Sequence, residues 1–464
     1  MNVVWFRTDL RIQNNPALTS AINNGSVVAV YIATPEQWRK HDDAAIKLDF
    51  WRRNLVCLKS ELTKIQVPLL CFQVPSYRQI PDLLSDVLEK LQAKAIYFNQ
   101  EFALNERNRD SKVENELAQK HIDCHSYPSE VLLKPGTVLN GQGEPFKVFT
   151  PFARKARTLI ATAQALVSHK RLANKHPANN IPAIPSNLNI DQIEWPLQKA
   201  SWQELWPAGE NAALKKLDGF CQSGLDGYEK NRDFPAINGT SMLSPWLNAG
   251  VISIQTCWQN ASQMSDSKGC QTWQNELLWR EFYRHLLFHY AALSRSENFN
   301  SKYDQLQWRT DQEDFQKWCQ GETGIPIVDA AMKQLLQTGW MHNRLRMITA
   351  MFLTKHLLID WRWGEQWFMK HLIDGDYAAN NGGWQWSAST GTDAVPYFRI
   401  FNPVTQSRRF DAEGNFIRKF LPALEALDNK AIHDPGLLKP DIYPGPIVDL
   451  KQGRERALAA FKSC

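Results

Sequence analysis

Through the first 130 residues, short apolar runs alternate with amphipathic ones. β-Rich stretches at Val3–Phe6, Val27–Ile32, Pro68–Phe72 and Ala95–Phe98, with a fifth at Ile122–Tyr127, read as strands. Between them, helical periodicity predicts helices at Pro16–Asn23, Ala45–Ile65, Pro81–Gln92 and Asn105–Lys120. Such alternation builds a doubly wound parallel sheet, whose ligands sit beyond the carboxyl ends of the strands. No GxGxxG follows the first strand, so the dinucleotide fingerprint is absent. From Leu132 to Gln198 the periodicity fades. Pro177, Pro182, Pro185 and Pro196 mark a long connection, with a short helix near Pro151–Ser168. After Trp202 the pattern is helix after helix. The expectation is therefore α/β plus all-α: an α/β domain over 1–130, a linker over 131–202 and an all-helical domain over 203–464.

Composition changes this picture little. Hydrophobic content of 43% and charged content of 22% belong to an ordinary globular chain. No apolar run approaches the roughly 20 residues that span a bilayer. The start, MNVVWFRTDLR, turns charged too soon for a signal peptide, so a cytoplasmic, membrane-free protein is expected. The eight cysteines are scattered without CxxC or zinc spacing, which predicts reduced thiols and no metal site. A net charge of +5 is weak support for a polyanionic partner. Tryptophan is more telling: of eighteen, only Trp5, Trp38, Trp51 and Trp195 precede residue 200, so the helical part is unusually rich in indoles.

Four segments carry the candidate chemistry. The run Asp374–Pro403, DGDYAANNGGWQWSASTGTDAVPYFRIFNP, reads as an irregular loop with Trp384 and Trp386 set into it. Asp374, Asp376, Asn380 and Asn381 beside Gly382-Gly383 suit a flat heterocycle approached closely by backbone. In CQTWQNELLWREFYRHLL, Trp273, Glu276, Trp279 or Arg280, and Tyr283 share one helical face, which suits a cavity wall. In WMHNRLRM, Trp340, Asn343, Arg344 and Met347 fall on one face of an expected helix, with Arg344 and Arg346 able to reach anions. GTSMLSPWL places Thr240, Ser241 and Ser244 around a helix start, where hydroxyls and free N–H groups suit a pyrophosphate or simply cap. Tyr228 and Arg232 lie just upstream.

Taken together, these blocks resemble the cyclobutane pyrimidine dimer photolyases of the DNA photolyase and cryptochrome family, class I, bacterial, folate-antenna type. The likeness runs from VVWFRTDLR to PIVDL. It implies an antenna domain over 1–130 and a helical domain over 203–464 that binds FAD and DNA. The family's flavin contacts correspond to Tyr228, Thr240, Ser241, Met242, Leu243, Ser244, Trp273, Arg280, Arg284, Trp340, Asn343, Arg346, Asp374, Asp376 and Asn380. Asn380 matches the position facing flavin N5, where plant cryptochromes carry Asp. Glu276, Trp279, Asn343, Arg344, Met347 and Trp386 match positions that receive the thymine dimer, Glu276 holding the thymine edge. Trp384, Trp361 and Trp308 match the indole chain that reduces oxidised flavin in light. The implied reaction is light-dependent repair of dimers in single- or double-stranded DNA by electron transfer from excited FADH⁻ to a flipped-out lesion.

The resemblance also implies a 5,10-methenyltetrahydrofolate antenna at His41 in WRKHD and Asn105-Glu106 in ALNER. Where relatives carry a lysine beyond the YRH helix, this chain reads LSRSEN, with Arg295 the nearest cation. A cryptochrome photoreceptor is the main rival. Asn380 and the short C-terminus argue against it. A (6-4) photolyase needs histidines at the lesion, and here His342 is followed by Asn343. Neither a membrane nor an obligate protein partner is implied, and a monomer is expected.

Overall fold

All five strands form within one residue of their expected bounds: β1 Asn2–Phe6, β2 Val27–Ala33, β3 Leu69–Gln73, β4 Ala95–Asn99 and β5 Asp123–Tyr127. They pair in parallel in the order β3-β2-β1-β4-β5, with Val3 opposite both Val28 and Ile96. Central strands β1, β2 and β4 are buried along their whole length. Helices on both faces exclude water from them, which is why they read as apolar runs, broken only by Asn2 and Asn99 at their ends. Edge strand β5 is largely open.

The structure, a computed structural model, describes residues 1–162, 174–178, 181–196 and 199–464. In chain order the helices are α1 Pro16–Asn23, α2 Pro35–Lys40, α3 Ala45–Lys64, α4 Ile80–Lys90, α5 Leu104–Gln119, α6 Phe149–Thr162, α7 Ala200–Leu205, α8 Glu210–Ser223, α9 Tyr228–Asn231 and α10 Ser244–Asn248. There follow α11 Ile254–Met264, α12 Lys268–His289, α13 Gln312–Gln320, α14 Pro326–Thr338, α15 Asn343–Met351, α16 Trp361–His371, α17 Tyr377–Ala388, α18 Pro403–Phe410, α19 Asn415–Phe420 and α20 Leu450–Lys462. The helix expected near Pro151–Ser168 is α6, and its expected last residues lie outside the described residues. The six-residue α2 was not expected.

The chain divides into two compact units. One comprises 1–146, 150–225 and 241–289; the other comprises 147–149, 226–240 and 290–464. Residues 203–225 and 241–289 thus group with the sheet, across the boundary suggested at 202. In this first unit the described part of the connection covers the open edge of the sheet. Leu188 N donates to Cys71 O at 2.8 Å, and Cys71 N donates to Asn187 Oδ1 at 3.0 Å, so β3 is not left as a bare edge. The β1–α1 loop is fixed by Gly250. A Cβ there would lie 2.0 Å from Thr8 O, so only glycine allows this approach.

The second unit is helical around one large core containing Trp318, Phe352, Trp361, Phe368 and Trp384. Two expectations are corrected here. The Asn/Gly-rich stretch after Asp376 is not a loop but helix α17. Asp376 caps it by accepting from Ala378 N at 3.1 Å. Its polar side chains are satisfied by other elements: Asn381 Nδ2 donates to Glu365 Oε1 at 3.1 Å, and Gln385 Oε1 accepts from Phe299 N at 2.9 Å. Residues that usually compete with helical backbone bonds therefore do not. Trp340, expected on a helix with Asn343 and Met347, precedes α15. Gly339 ends α14 at a φ of +70°, and His342 caps α15.

All eight cysteines are free thiols. Among the described residues no helix is long and apolar enough to cross a membrane.

Candidate functional site

Beyond the carboxyl ends of β2, β3 and β4, the first unit gathers His41, Asn105 and Glu106, as expected from sequence. His41 Nε2 lies 2.7 Å from Gln37 Nε2 and 3.0 Å from Asn105 Nδ2. Amide nitrogens only donate, so Nε2 is placed to accept from them, and the other ring nitrogen, Nδ1, faces Glu106 Oε1 at 3.7 Å. Tyr77 donates to Glu106 Oε1 at 3.1 Å, and its ring meets His41 edge-on at 5.8 Å. Burial pushes the Glu106 carboxyl up from its ordinary value, against the opposing pull of His41. Gln37 and Tyr77 were missed in the sequence, Gln37 because α2 was not expected. Arg295 belongs to the other unit, where it is exposed at the end of a 3₁₀ turn.

In the same unit, α12 carries the expected stripe. Glu276, Trp279, Arg280 and Tyr283 are half-buried, while Trp273 and Arg284 are buried. The Trp279 ring lies 5.7 Å from Tyr283 and 5.8 Å from Phe282, so its plane is braced from within the helix. Trp273 Nε1 donates to Ser241 Oγ at 3.3 Å, tying α12 to the turn before α10. That turn passes through Met242 in a left-handed conformation, with Leu243 buried and Ser244 opening α10. Both arginines of the stripe meet Glu130: Arg280 Nη1 donates to its carbonyl at 2.7 Å and Arg284 Nε to its carboxylate at 2.6 Å. Glu130 was not foreseen; nothing local marks a residue 150 positions away.

The second unit holds the remaining residues. Tyr228 is buried in α9 under the Arg232 guanidinium, 5.4 Å from its ring. Gly239, just before Thr240, has no room for a Cβ, which would sit 2.5 Å from Asn231 O. Asp374, buried, takes Arg346 Nη2 on both oxygens at 3.0 and 2.8 Å, a pairing that fixes the Arg346 fork. Asn380 Nδ2 donates to Glu365 O at 2.9 Å. This anchors the amide, whose Oδ1 is the acceptor end of the same group. Asn343 opens α15 with its amide 3.9 Å from Met347 Sδ. Arg344 pairs with Asp233 at 2.8 Å. His342 is buried and its Nδ1 accepts from Arg344 N at 3.2 Å. Burial and the surrounding Arg344, Arg346 and Arg232 push its pKa down to about 4, though Asp233 opposes them. A neutral capping imidazole is its role here.

The three indoles named for electron relay fall in one neighbourhood. Trp384 and Trp361 are buried in the same core, and half-buried Trp308 packs against it. Trp384 meets Phe368 at 5.0 Å and Trp318 at 5.9 Å, both edge-on. Trp361 Nε1 donates to Asn298 Oδ1 at 3.0 Å, and Arg362 lies 4.7 Å over its ring. Trp308 stands edge-on to Phe461 at 6.0 Å. Trp386, on α17, is half-buried.

A doubly wound sheet and a separate helical unit lined with indoles, amides and fixed arginines define a flavoprotein of the photolyase and cryptochrome fold. The family model described as DNA photolyase matches residues 2–171, and that described as the FAD binding domain of DNA photolyase matches 273–463. The chain belongs to the DNA photolyase family. It is 44% identical to a deoxyribodipyrimidine photo-lyase of Vibrio cholerae, over 100% of this chain and 99% of that one. With the Escherichia coli deoxyribodipyrimidine photo-lyase it shares 42% identity, over 100% and 98%. Among solved structures, a class III photolyase from Agrobacterium tumefaciens superimposes with a TM-score of 0.89 at 37% identity, covering 100% of this chain and 97% of that one. A Synechocystis cryptochrome gives a TM-score of 0.87 at 27% identity, with 99% of each chain covered.

Proposed function

We propose that this chain is a light-dependent lyase that splits cyclobutane pyrimidine dimers in DNA. The observation that carries the reading is identity above 40% along the whole chain to proteins named for that activity. The donor set fits FAD. Asn380, its amide fixed on Glu365 O, presents an acceptor oxygen suited to an N–H of a reduced flavin ring. The Arg346 fork, fixed by Asp374, suits the ring's anionic edge, and hydroxyls with backbone N–H groups around Ser241–Ser244 suit the diphosphate. Tyr228, Thr240, Met242, Leu243, Trp273, Arg280, Arg284, Trp340, Asn343 and Asp376 complete the proposed contacts.

When bound, FADH⁻ supplies a photoexcited electron that the dimer borrows while two cyclobutane C–C bonds open, and then returns. The chain's own residues do the rest. Trp279 and Trp386 offer apolar faces that replace the stacking lost when the lesion leaves the helix, a cost of a few kcal/mol for base flippers, among which the handling of damaged bases by photolyases is a known example. Met347 offers an apolar contact and Asn343 a polar one to the lesion. Glu276 hydrogen-bonds a pyrimidine edge, and Arg344 takes a neighbouring phosphate when its pairing with Asp233 gives way. Trp308, half-buried, passes electrons inward from solvent through the buried Trp361 and Trp384.

Residues 1–130 serve as the antenna domain, 131–202 as the connection and 203–464 as the catalytic part. The largely buried Glu106 carboxyl, with His41 and Asn105 held beside it, suits the edge of a pterin, which supports a methenyltetrahydrofolate antenna. We place the protein in the bacterial cytosol, acting as a monomer.

The test follows cyclobutane thymine dimers in an oligonucleotide with chemically reduced protein, in blue light and in the dark. Light-dependent return of intact thymines is expected. Flavin photochemistry with no loss of dimer would instead identify a cryptochrome-type photoreceptor.

A further inference from the structure

Arg344 does not stand free to meet a phosphate. Its Nη2 lies 2.8 Å from Asp233 Oδ1, and its side chain is only 16% exposed. The guanidinium also stacks 4.4 Å over the Phe410 ring, which is itself wedged edge-on against Phe234 at 6.1 Å. Asp233 is a third exposed and draws a second cation, Arg232 Nε, to 3.9 Å. A single carboxylate therefore compensates the arginine assigned to the lesion-side backbone, while Phe410 and Phe234 hold the pair in place. All of these residues belong to one compact unit.

We propose that Asp233 is a specificity-determining residue of the DNA-binding face, holding down affinity for intact phosphate backbone by neutralising Arg344. The inference rests on the DNA-repair reading above. Each phosphate neutralised by a free cation releases condensed counterions and adds about 0.9 to the salt slope of binding to duplex DNA. A cation already paired releases few, because the phosphate must displace the carboxylate or sit beside it. Backbone contact at Arg344 is thus made nearly isoenergetic, and the lesion pocket is left to supply discrimination. Weak backbone affinity matters because undamaged sites outnumber lesions by orders of magnitude.

The experiment measures binding of the flavin-loaded protein to an undamaged duplex, and to the same duplex carrying one thymine dimer, from 50 to 200 mM salt. Asp233→Asn is expected to bind the undamaged duplex about 3- to 10-fold more tightly at 50 mM salt, with a slope steeper by about 0.9. Combined with Arg344→Gln, the gain is expected to vanish. Weaker or unchanged binding of Asp233→Asn overturns the proposal, since the carboxylate would then orient Arg344 or do nothing. A gain that persists beside Arg344→Gln also overturns it, because general surface charge would explain it. If Asp233→Asn is recovered without flavin, Asp233→Ser carries the same expectations. Wild-type protein that neither binds nor repairs the damaged duplex overturns the function reading and this one together. Normal repair with unresponsive variants overturns this one alone.

Discussion

Replacing Gly364 with alanine tests whether close packing between α16 and α17 fixes the indole of Trp384, the innermost member of the proposed relay. A Cβ at Gly364 would stand 2.1, 2.5 and 2.7 Å from Cη2, Cζ3 and Cζ2 of Trp384. Carbon atoms in contact rest at about 3.5–4.0 Å, so the ring must withdraw by roughly 1.4–1.9 Å or the helices must part. The ring has little freedom to do so, with Phe368 at 5.0 Å and Trp318 at 5.9 Å against it. Overpacking of this kind costs about 1–3 kcal/mol. Helix propensity returns up to about 1 kcal/mol for the change from glycine. The net expectation is a loss near 2 kcal/mol, because the clash is with a rigid ring and not with the end of a flexible chain.

Gly383→Ala supplies the control. A Cβ there meets nothing within 4 Å on α17, so its denaturation midpoint should match or exceed wild type. Gly364→Ala should unfold earlier in urea and, once loaded with oxidised flavin, should photoreduce more slowly than wild type under the same lamp. Equal stability of the two alanine variants, with unchanged photoreduction, would refute the claim that Gly364 positions Trp384.

Trp308→Phe keeps the ring contact with Phe461 but removes the indole; photoreduction of oxidised flavin should fail while repair by pre-reduced enzyme persists, and equal loss of both would disprove a relay role. Trp279→Ala should weaken binding to a dimer-containing oligonucleotide by about 1–3 kcal/mol, the scale of base–aromatic stacking, with flavin content intact. Loss of flavin would show the residue misplaced. Lys355 is buried with Nζ donating to Ala388 O at 3.1 Å and Ser389 Oγ at 2.9 Å, and burial pushes its pKa well below the ordinary value. Below that ordinary value the unfolded chain keeps the proton that the folded chain releases, so stability should rise with pH toward it. Lys355→Met should flatten that rise in urea midpoints between pH 7 and 9.5, and a slope like that of wild type would refute the assignment.

Much of the fold was legible because burial on both faces leaves no polar alternation to confuse. Strands β1, β2 and β4 are apolar apart from Asn2 and Asn99 at their ends, and α1 is framed by Asn15 as cap and Pro16 at its first turn. The sequence misled where composition normally decides. Asn380, Asn381, Gly382 and Gly383 look like a loop, and only Glu365, Phe299 and Glu297, distant in sequence, free the side chains of α17 from their own backbone. The spacing of Trp340, Asn343, Arg344 and Met347 was right for a helix, but Gly339 and His342 interrupt it with a stop and a new cap.

For the site, sequence motifs identified the arginines and not what holds them. Arg280 and Arg284 meet Glu130, Arg346 meets Asp374, and Arg344 meets Asp233. Of these partners only Asp374 sits inside a recognisable motif. The others lie on segments whose composition is unremarkable, and no helical or strand period links them to their cations. The pairings change what the arginines can do. A compensated guanidinium is fixed in direction, so it binds a flavin edge or a phosphate with little loss of side-chain freedom. It also contributes less than a full charge to long-range attraction. The net charge of +5 already counts those carboxylates, so the long-range pull of this chain on a polyanion is modest, and on the reading proposed above recognition rests on local contacts at the paired arginines more than on overall charge.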